Sequence, residues 1–271
     1  MKKTLFTVTV ILLLIAFGVS AFFVGRYLLE GKEQKDRYNQ LASIAANAQT
    51  TVQETTAAAV ETTGETEETR APVTLPTEEN GMLSGYKEIY DMNNDTVGWI
   101  KIEGTDLDYP VMQTPDEANY YLYRDFDGND SARGSIYARE ECDINEPSDN
   151  ITIYGHNMKD NSMFGCLDDY TNKATWENNS LIFFDTLTEY HTYQIFAVFK
   201  TSANVGEGFT YHQFVDAETE EEFNEFVSTC KELAFYDTGI TPQYGDKLIC
   251  LSTCEYTLDN GRLVVAAVRI T

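Results

Sequence analysis

Hydrophobic and polar positions divide the chain into three stretches. The first is an apolar run from about Leu5 to Val24, broken only by Thr, Ser and Gly and preceded by Lys2 and Lys3. Some twenty apolar residues at about 1.5 Å each match the hydrocarbon thickness of a bilayer, so the run predicts a membrane-spanning helix. A first hydrophobic segment usually inserts with its short basic end inside, which leaves the bulk of the chain outside. The rival reading takes Val19-Ser20-Ala21 as the cleavage site of a signal peptide. Continuation of the run through Phe22, Phe23 and Val24 favours a retained anchor over residues 1–28, and both readings export the protein.

The second stretch, 29–80, begins with a segment that can continue as helix to about Asn47. From about Ala42 to Asn80 it consists largely of Thr, Glu and Ala, has no aromatic residue and repeats Thr-Thr pairs. Such a composition buries too little apolar area to offset chain entropy, and reads as an extended, self-repelling tether. The third stretch, 81–271, holds nearly all the aromatic residues and suits one domain. Short β-rich runs recur at 98–102, 135–138, 150–154, 181–184, 192–199, 247–251 and 262–268, with Gly and Asn between them. Helical spacing of Phe223, Phe226, Val227 and Cys230 predicts a helix within Asp216 to Phe235, and a shorter one is expected near Tyr86 to Met92. The expected class is mainly β with added helices, a β-barrel carrying a long helix between its late strands.

Composition changes this picture in two places. A net charge of −25 opposes a nucleic-acid partner, because phosphates would be repelled. Five cysteines in an exported chain raise the question of disulfides. Cys250 and Cys254 on one strand would stand about 13 Å apart, beyond disulfide reach. Cys166 and Cys230 sit among apolar neighbours and read as buried thiols, whereas Cys142 lies in a polar segment and reads as exposed. Three histidines without ligand spacing imply no metal, and no cofactor is called for.

Two distant motifs carry chemistry: Ile153-Tyr154-Gly155-His156-Asn157, and Leu251-Ser252-Thr253-Cys254 followed by Gly261-Arg262. A thiol attacks a carbonyl as thiolate, an imidazole moves the proton and a guanidinium stabilises the oxygen that becomes negative; together they suit acyl transfer. Asp259-Asn260-Gly261 is a turn signal followed at once by an apolar strand. Cys254 therefore closes one strand and Arg262 opens its antiparallel neighbour, face to face. Taken alone, Arg262 could also be a strand-end arginine snorkelling to solvent and His156 a structural histidine. His191 and His212, in polar contexts, read as surface residues.

Tyr154-Gly155-His156-Asn157-Met158 with Ser162-Met163-Phe164, and Leu251-Ser252-Thr253-Cys254-Glu255-Tyr256 with Asp259-Asn260-Gly261-Arg262, resemble the sortases, and in detail class B. The resemblance runs from about Trp99 to the end, and includes the long helix at 216–235 and an N-terminal anchor. The family's T-L-x-T-C signature is met except at its first position, where Cys250 stands. The resemblance implies a membrane-anchored extracellular transpeptidase of Gram-positive bacteria. In it Cys254 attacks the threonine carbonyl of a C-terminal sorting signal, Arg262 holds the oxyanion and His156 handles the protons. Ser252 and Thr253 become candidates for peptide contact. The implied partners are surface proteins bearing a sorting signal, and a peptidoglycan-precursor or pilin amine. An L,D-transpeptidase also uses Cys, His and Arg, but that family places glycine directly before its cysteine and arginine close behind; here Thr253 precedes and Arg262 is eight positions on. A non-catalytic anchored surface module is the remaining alternative.

Overall fold

Most of the short apolar runs become strands of one closed barrel in the computed structural model, which describes residues 2–60, 81–204 and 206–271. The chain separates into two units, Met1–Gln40 and Leu41–Thr271. Helix α1 (Lys2–Val60) supplies the described residues of the first. Its side chains Leu13, Phe17 and Phe23 are exposed, and it contains a segment long and apolar enough to cross a membrane. Its backbone stays helical through residues 42–60, where an extended tether was expected. Ala45-Ala46 and Ala57-Ala58-Ala59 are strong helix formers, which offsets the weaker propensity of the threonines. The rest of the expected tether, 61–80, lies outside the described residues.

In the second unit α2 (Ser84–Met92) precedes β1 (Thr96–Lys101) and β2 (Asp108–Met112). A 3-10 turn at Tyr120–Tyr123 leads to β3 (Ile136–Ala138) and β4 (Asn150–Tyr154). Helix α3 (Lys173–Asn178) is followed by β5 (Leu181–Thr186) and β6 (Thr192–Ser202), and α4 (Glu220–Leu233) comes before β7 (Leu248–Glu255) and β8 (Gly261–Arg269). The barrel order is β1-β2-β3-β4-β7-β8-β6-β5, closed by β1 against β5. Two junctions position the site. β7 and β8 form an antiparallel hairpin that sets Cys254 opposite Arg262. β4 and β7 run parallel, with Tyr154 opposite Ser252.

Helix α4 starts four residues later than the outer limit of its pattern, because the Thr219 side chain accepts the Glu222 N–H and caps it there. Glu220, Glu221 and Glu222 then complement the positive end of the helix. Its buried face, Phe223, Phe226, Val227 and Cys230, joins Leu248 and Cys250 of β7 and Val264, Ala266 and Val268 of β8 in one apolar cluster. Burying each phenylalanine there contributes about 2–3 kcal/mol. Strand alternation places Ser252, Cys254 and Arg262 further along this same face. The helix covers the barrel up to the point where the reactive side chains begin.

Strand β2 was not expected. Pro110 lacks a donor and breaks the pattern of its run, yet the strand is short and Pro110 still pairs with Trp99. Cys142 is buried rather than exposed: the chain after β3 folds back, so that Cys142 Sγ contacts Asn150 O at 3.6 Å and Gln113 Nε2 donates to Cys142 O at 2.7 Å. His191 is also buried, its N–H donating to Asp185 Oδ1 and its ring edge-on to Tyr193. All five cysteines are free.

Candidate active site

The site is assembled where β4 and β7 end and β8 begins. Leaving β4, the chain passes Gly155, where a Cβ would lie 2.5 Å from Ile136 Cδ1 and 2.7 Å from the Phe164 ring. Only glycine fits that approach, and it brings His156 up against β7. Five hydrogen bonds then fasten the histidine segment to its surroundings. Gly155 N donates to Ser252 O at 3.2 Å, Thr253 Oγ1 donates to Gly155 O at 2.8 Å and Phe164 N donates to His156 O at 3.0 Å. Asn157 Nδ2 donates to Cys254 O at 2.9 Å, and also to Asp168 Oδ2 at 2.9 Å. His156 and Cys254 are thus held through the backbone on either side of their side chains. The imidazole has Nε2 2.8 Å from Leu122 O, and the Tyr123 ring stands 5.6 Å away, centroid to centroid.

The hairpin turn is built as the sequence requires. Asn260 takes the left-handed conformation, φ 47°, that asparagine tolerates. Glu255 accepts from Thr257 N at 3.0 Å, Leu258 N at 3.1 Å and Lys200 Nζ at 2.7 Å. Burial raises the Glu255 carboxyl, but these donors outweigh it and hold the group down at about 2. Arg262 Nη1 donates to Gly261 O at 2.9 Å and to Asn260 O at 3.3 Å, so the guanidinium lies back on the turn while still lining the groove.

His156, Cys254 and Arg262 line a single groove of about 320 Å³. Among the five cysteines Cys254 alone is not buried. Burial pushes the Cys142 thiol up to about 11, that of Cys166 to about 12 and that of Cys250 higher still, and holds Cys230 well above the ordinary thiol range. Burial thus disfavours thiolate formation at those four cysteines, while Cys254 presents its side chain to the groove. Cys250, at the departure from the signature, is fully buried in the cluster under α4. Ser252 and Thr253 also border the groove, but both are 2% exposed and both hydroxyls are engaged, Ser252 Oγ with Tyr211 OH at 2.5 Å and Thr253 Oγ1 with Gly155 O.

Sequence reasoning missed several residues here. His212, expected on the surface, lines the groove together with Arg139, Glu140 and Tyr137. Burial and the Arg139 charge hold His212 below the ordinary histidine range. The phenols of Tyr137 and Tyr211 are pushed up, mainly by burial, and stay neutral hydrogen-bonding groups; Tyr137 OH donates to Asn119 Oδ1 at 2.9 Å. Asn157 stands in the histidine motif, but nothing in the sequence pointed to its bond with Cys254. The Leu122 carbonyl is backbone and has no sequence signature.

The Sortase domain family matches residues 100–270. Sortase B of Staphylococcus aureus (strain NCTC 8325 / PS 47) is 30% identical over 186 residues, 67% of this chain and 73% of that protein. Sortase B of Listeria monocytogenes serovar 1/2a is 33% identical over 189 residues, 68% and 74% of the two chains. The structure of a Staphylococcus aureus sortase B–substrate complex superposes with a TM-score of 0.73 at 26% identity, covering 90% of this chain and 99% of that one. Sortase B from B. anthracis in complex with AAEK1 gives a TM-score of 0.69 at 25% identity, over 90% and 99% of the two chains. With a matching domain, a matching barrel and a thiol set opposite an arginine, the chain belongs to the sortase family, class B, and is a cysteine transpeptidase.

Proposed function

We propose that the protein is a membrane-anchored sortase whose catalytic domain, residues 81–271, lies outside the cell and joins surface proteins to an amine. Cys254 attacks the carbonyl carbon of the threonine in a C-terminal sorting signal. Arg262 and nearby backbone N–H groups stabilise the oxyanion, the kind of preorganised electrostatic contribution that is usually the largest in acyl transfer. His156 gives its proton to the departing amine, leaving a thioester on Cys254. It then takes a proton from the incoming amine as that nitrogen attacks the thioester. The acceptor is an amine of a peptidoglycan precursor or of a pilin. Ser252 and Thr253 shape the groove wall.

The observation that carries this reading is the pairing of Cys254 with Arg262 across β7 and β8, in one groove with His156. The apolar segment of α1 supports anchoring through residues 1–28, with 29–80 as the spacer between membrane and domain. The test is to incubate the protein with a library of sorting pentapeptides and read cleavage after threonine, and transfer to added amines, by mass spectrometry. Cleavage by wild type and none by Cys254→Ala is expected. Equal turnover by the variant would end the proposal.

A further inference from the structure

We infer that the backbone carbonyl of Leu122 fixes the tautomer of His156, so that Nε2 keeps its proton and Nδ1 is the atom that trades protons with the reacting groups. This rests on the acid–base role proposed for His156 and goes beyond it by naming the atom. A carbonyl oxygen has no proton to give, so an imidazole nitrogen 2.8 Å from it is the donor. A neutral imidazole carries one N–H; with that proton on Nε2, the lone pair is on Nδ1.

The carbonyl is firmly presented. Its two neighbours along the 3-10 turn are both engaged, Tyr121 O by Ser135 N at 3.0 Å and Tyr123 O by Ser131 N at 2.9 Å. Gly134 lies so close that a Cβ there would come within 2.4 Å of Leu122 O. The Tyr123 ring, 5.6 Å from the imidazole and tilted 40° to it, covers one side of the histidine. On the other side His156 O and Asn157 are bonded to Phe164 N and to Cys254 O. The segment is held, and among the described residues the ring's hydrogen bond is made at Nε2 and none at Nδ1.

Each proton then has one route. The Cys254 Sγ–H proton passes to the Nδ1 lone pair, giving thiolate and imidazolium. The Nδ1–H proton passes to the amine nitrogen as its C–N bond breaks, leaving the thioester and a neutral ring. The incoming amine returns a proton to Nδ1 as its nitrogen bonds to the carbonyl carbon and the C–S bond breaks, and the thiolate is released beside the imidazolium. Throughout, Nε2–H stays on Leu122 O, and this bond strengthens whenever the ring is charged because the donor is then ionised. The carbonyl therefore acts as a positioning group, in the place where other acyl-transfer enzymes use a carboxylate to orient their histidine.

The test reads the tautomer directly. Full-length protein in detergent micelles is labelled with ¹⁵N at its histidines, and His191→Gln and His212→Gln variants assign the signals in long-range ¹H–¹⁵N spectra. Neutral His156 is expected as one tautomer, protonated at Nε2 and bare at Nδ1. A predominant Nδ1–H form, or averaged signals from exchanging tautomers, would overturn the inference. In a second measurement Tyr123 is replaced by its α-hydroxy acid analogue, converting the Leu122–Tyr123 amide to an ester and weakening the carbonyl as acceptor while keeping both side chains. The expected result is a lower apparent His156 pKa in the pH–rate profile and about a tenfold fall in kcat with KM unchanged. An unshifted profile would also overturn it. The tautomer is read without substrate, so it stands or falls independently of turnover; failure of the acid–base role itself would appear as His156→Gln retaining activity.

Discussion

Replacing Asn157 by alanine tests whether the clamp between the histidine segment and Cys254 contributes to turnover. The substitution removes two hydrogen bonds from one side-chain nitrogen, to Cys254 O and to Asp168 Oδ2, each at 2.9 Å. The first is a neutral bond in a partly buried setting and is worth about 1 kcal/mol. The second reaches a carboxylate, but Asp168 is exposed and solvent screens it, so about 0.5 kcal/mol is the fitting figure. If all of this holds Cys254 and His156 at reacting distance, the loss of about 1.5 kcal/mol lowers kcat roughly tenfold. The assay is steady-state cleavage of a fluorescence-quenched sorting peptide, with thermal unfolding measured in parallel. Asn157→Asp should fall further, because a carboxylate would face the Cys254 carbonyl and Asp168, both acceptors. Asp168→Ala alone should lose only the smaller share, and the double variant reports whether the two bonds act together. A kcat within twofold of wild type for Asn157→Ala, with unchanged melting, would refute the reasoning.

Cys254→Ala should abolish cleavage and transfer while leaving the melting temperature within a few degrees, since Cys254 is only partly buried; normal peptide turnover would contradict it. Arg262→Lys should lose most activity because a point charge does not reproduce the guanidinium fork, and near-wild-type rates would move the oxyanion role elsewhere. Phe226→Ala should destabilise the domain by about 3–5 kcal/mol in denaturant titration, because the ring is buried under α4 and stacks on Phe214 at 4.1 Å. Glu255 has its folded pKa lowered from 4.5 to about 2, so its stabilisation is full above about pH 4.5 and lost as pH falls toward 2. Glu255→Gln should remove about 2 kcal/mol at pH 7 and flatten the acid limb of the stability curve; an unaltered limb would discount the carboxylate's role in the turn.

The barrel was readable where residues next to each other in sequence decide the outcome. Val264, Ala266 and Val268 alternate cleanly, α4 shows its period, and Asp259-Asn260-Gly261 announces the turn that sets Cys254 opposite Arg262. What could not be read depends on residues far apart. His156 reaches β7 because two strands pair in parallel across 98 positions, and no spacing rule encodes that. Cys142 and His191 have polar neighbours in sequence but are buried in space, so local context gave the wrong exposure for both. Pro110 hid β2 because a strand without one donor survives when it is short and flanked on both sides.

The parallel junction of β4 and β7 also orders events in time. The Cys254–Arg262 hairpin needs only a short turn and can form locally, whereas bringing Gly155 to Thr253 closes a loop of 98 residues, at an entropic cost of about 4 kcal/mol. Contacts of that sequence separation form late. The expectation is that thiol and arginine can meet before their base arrives, and that peptide cleavage appears only once the barrel has closed. Cleavage of a sorting peptide detected during refolding before the barrel closes would be the contrary result.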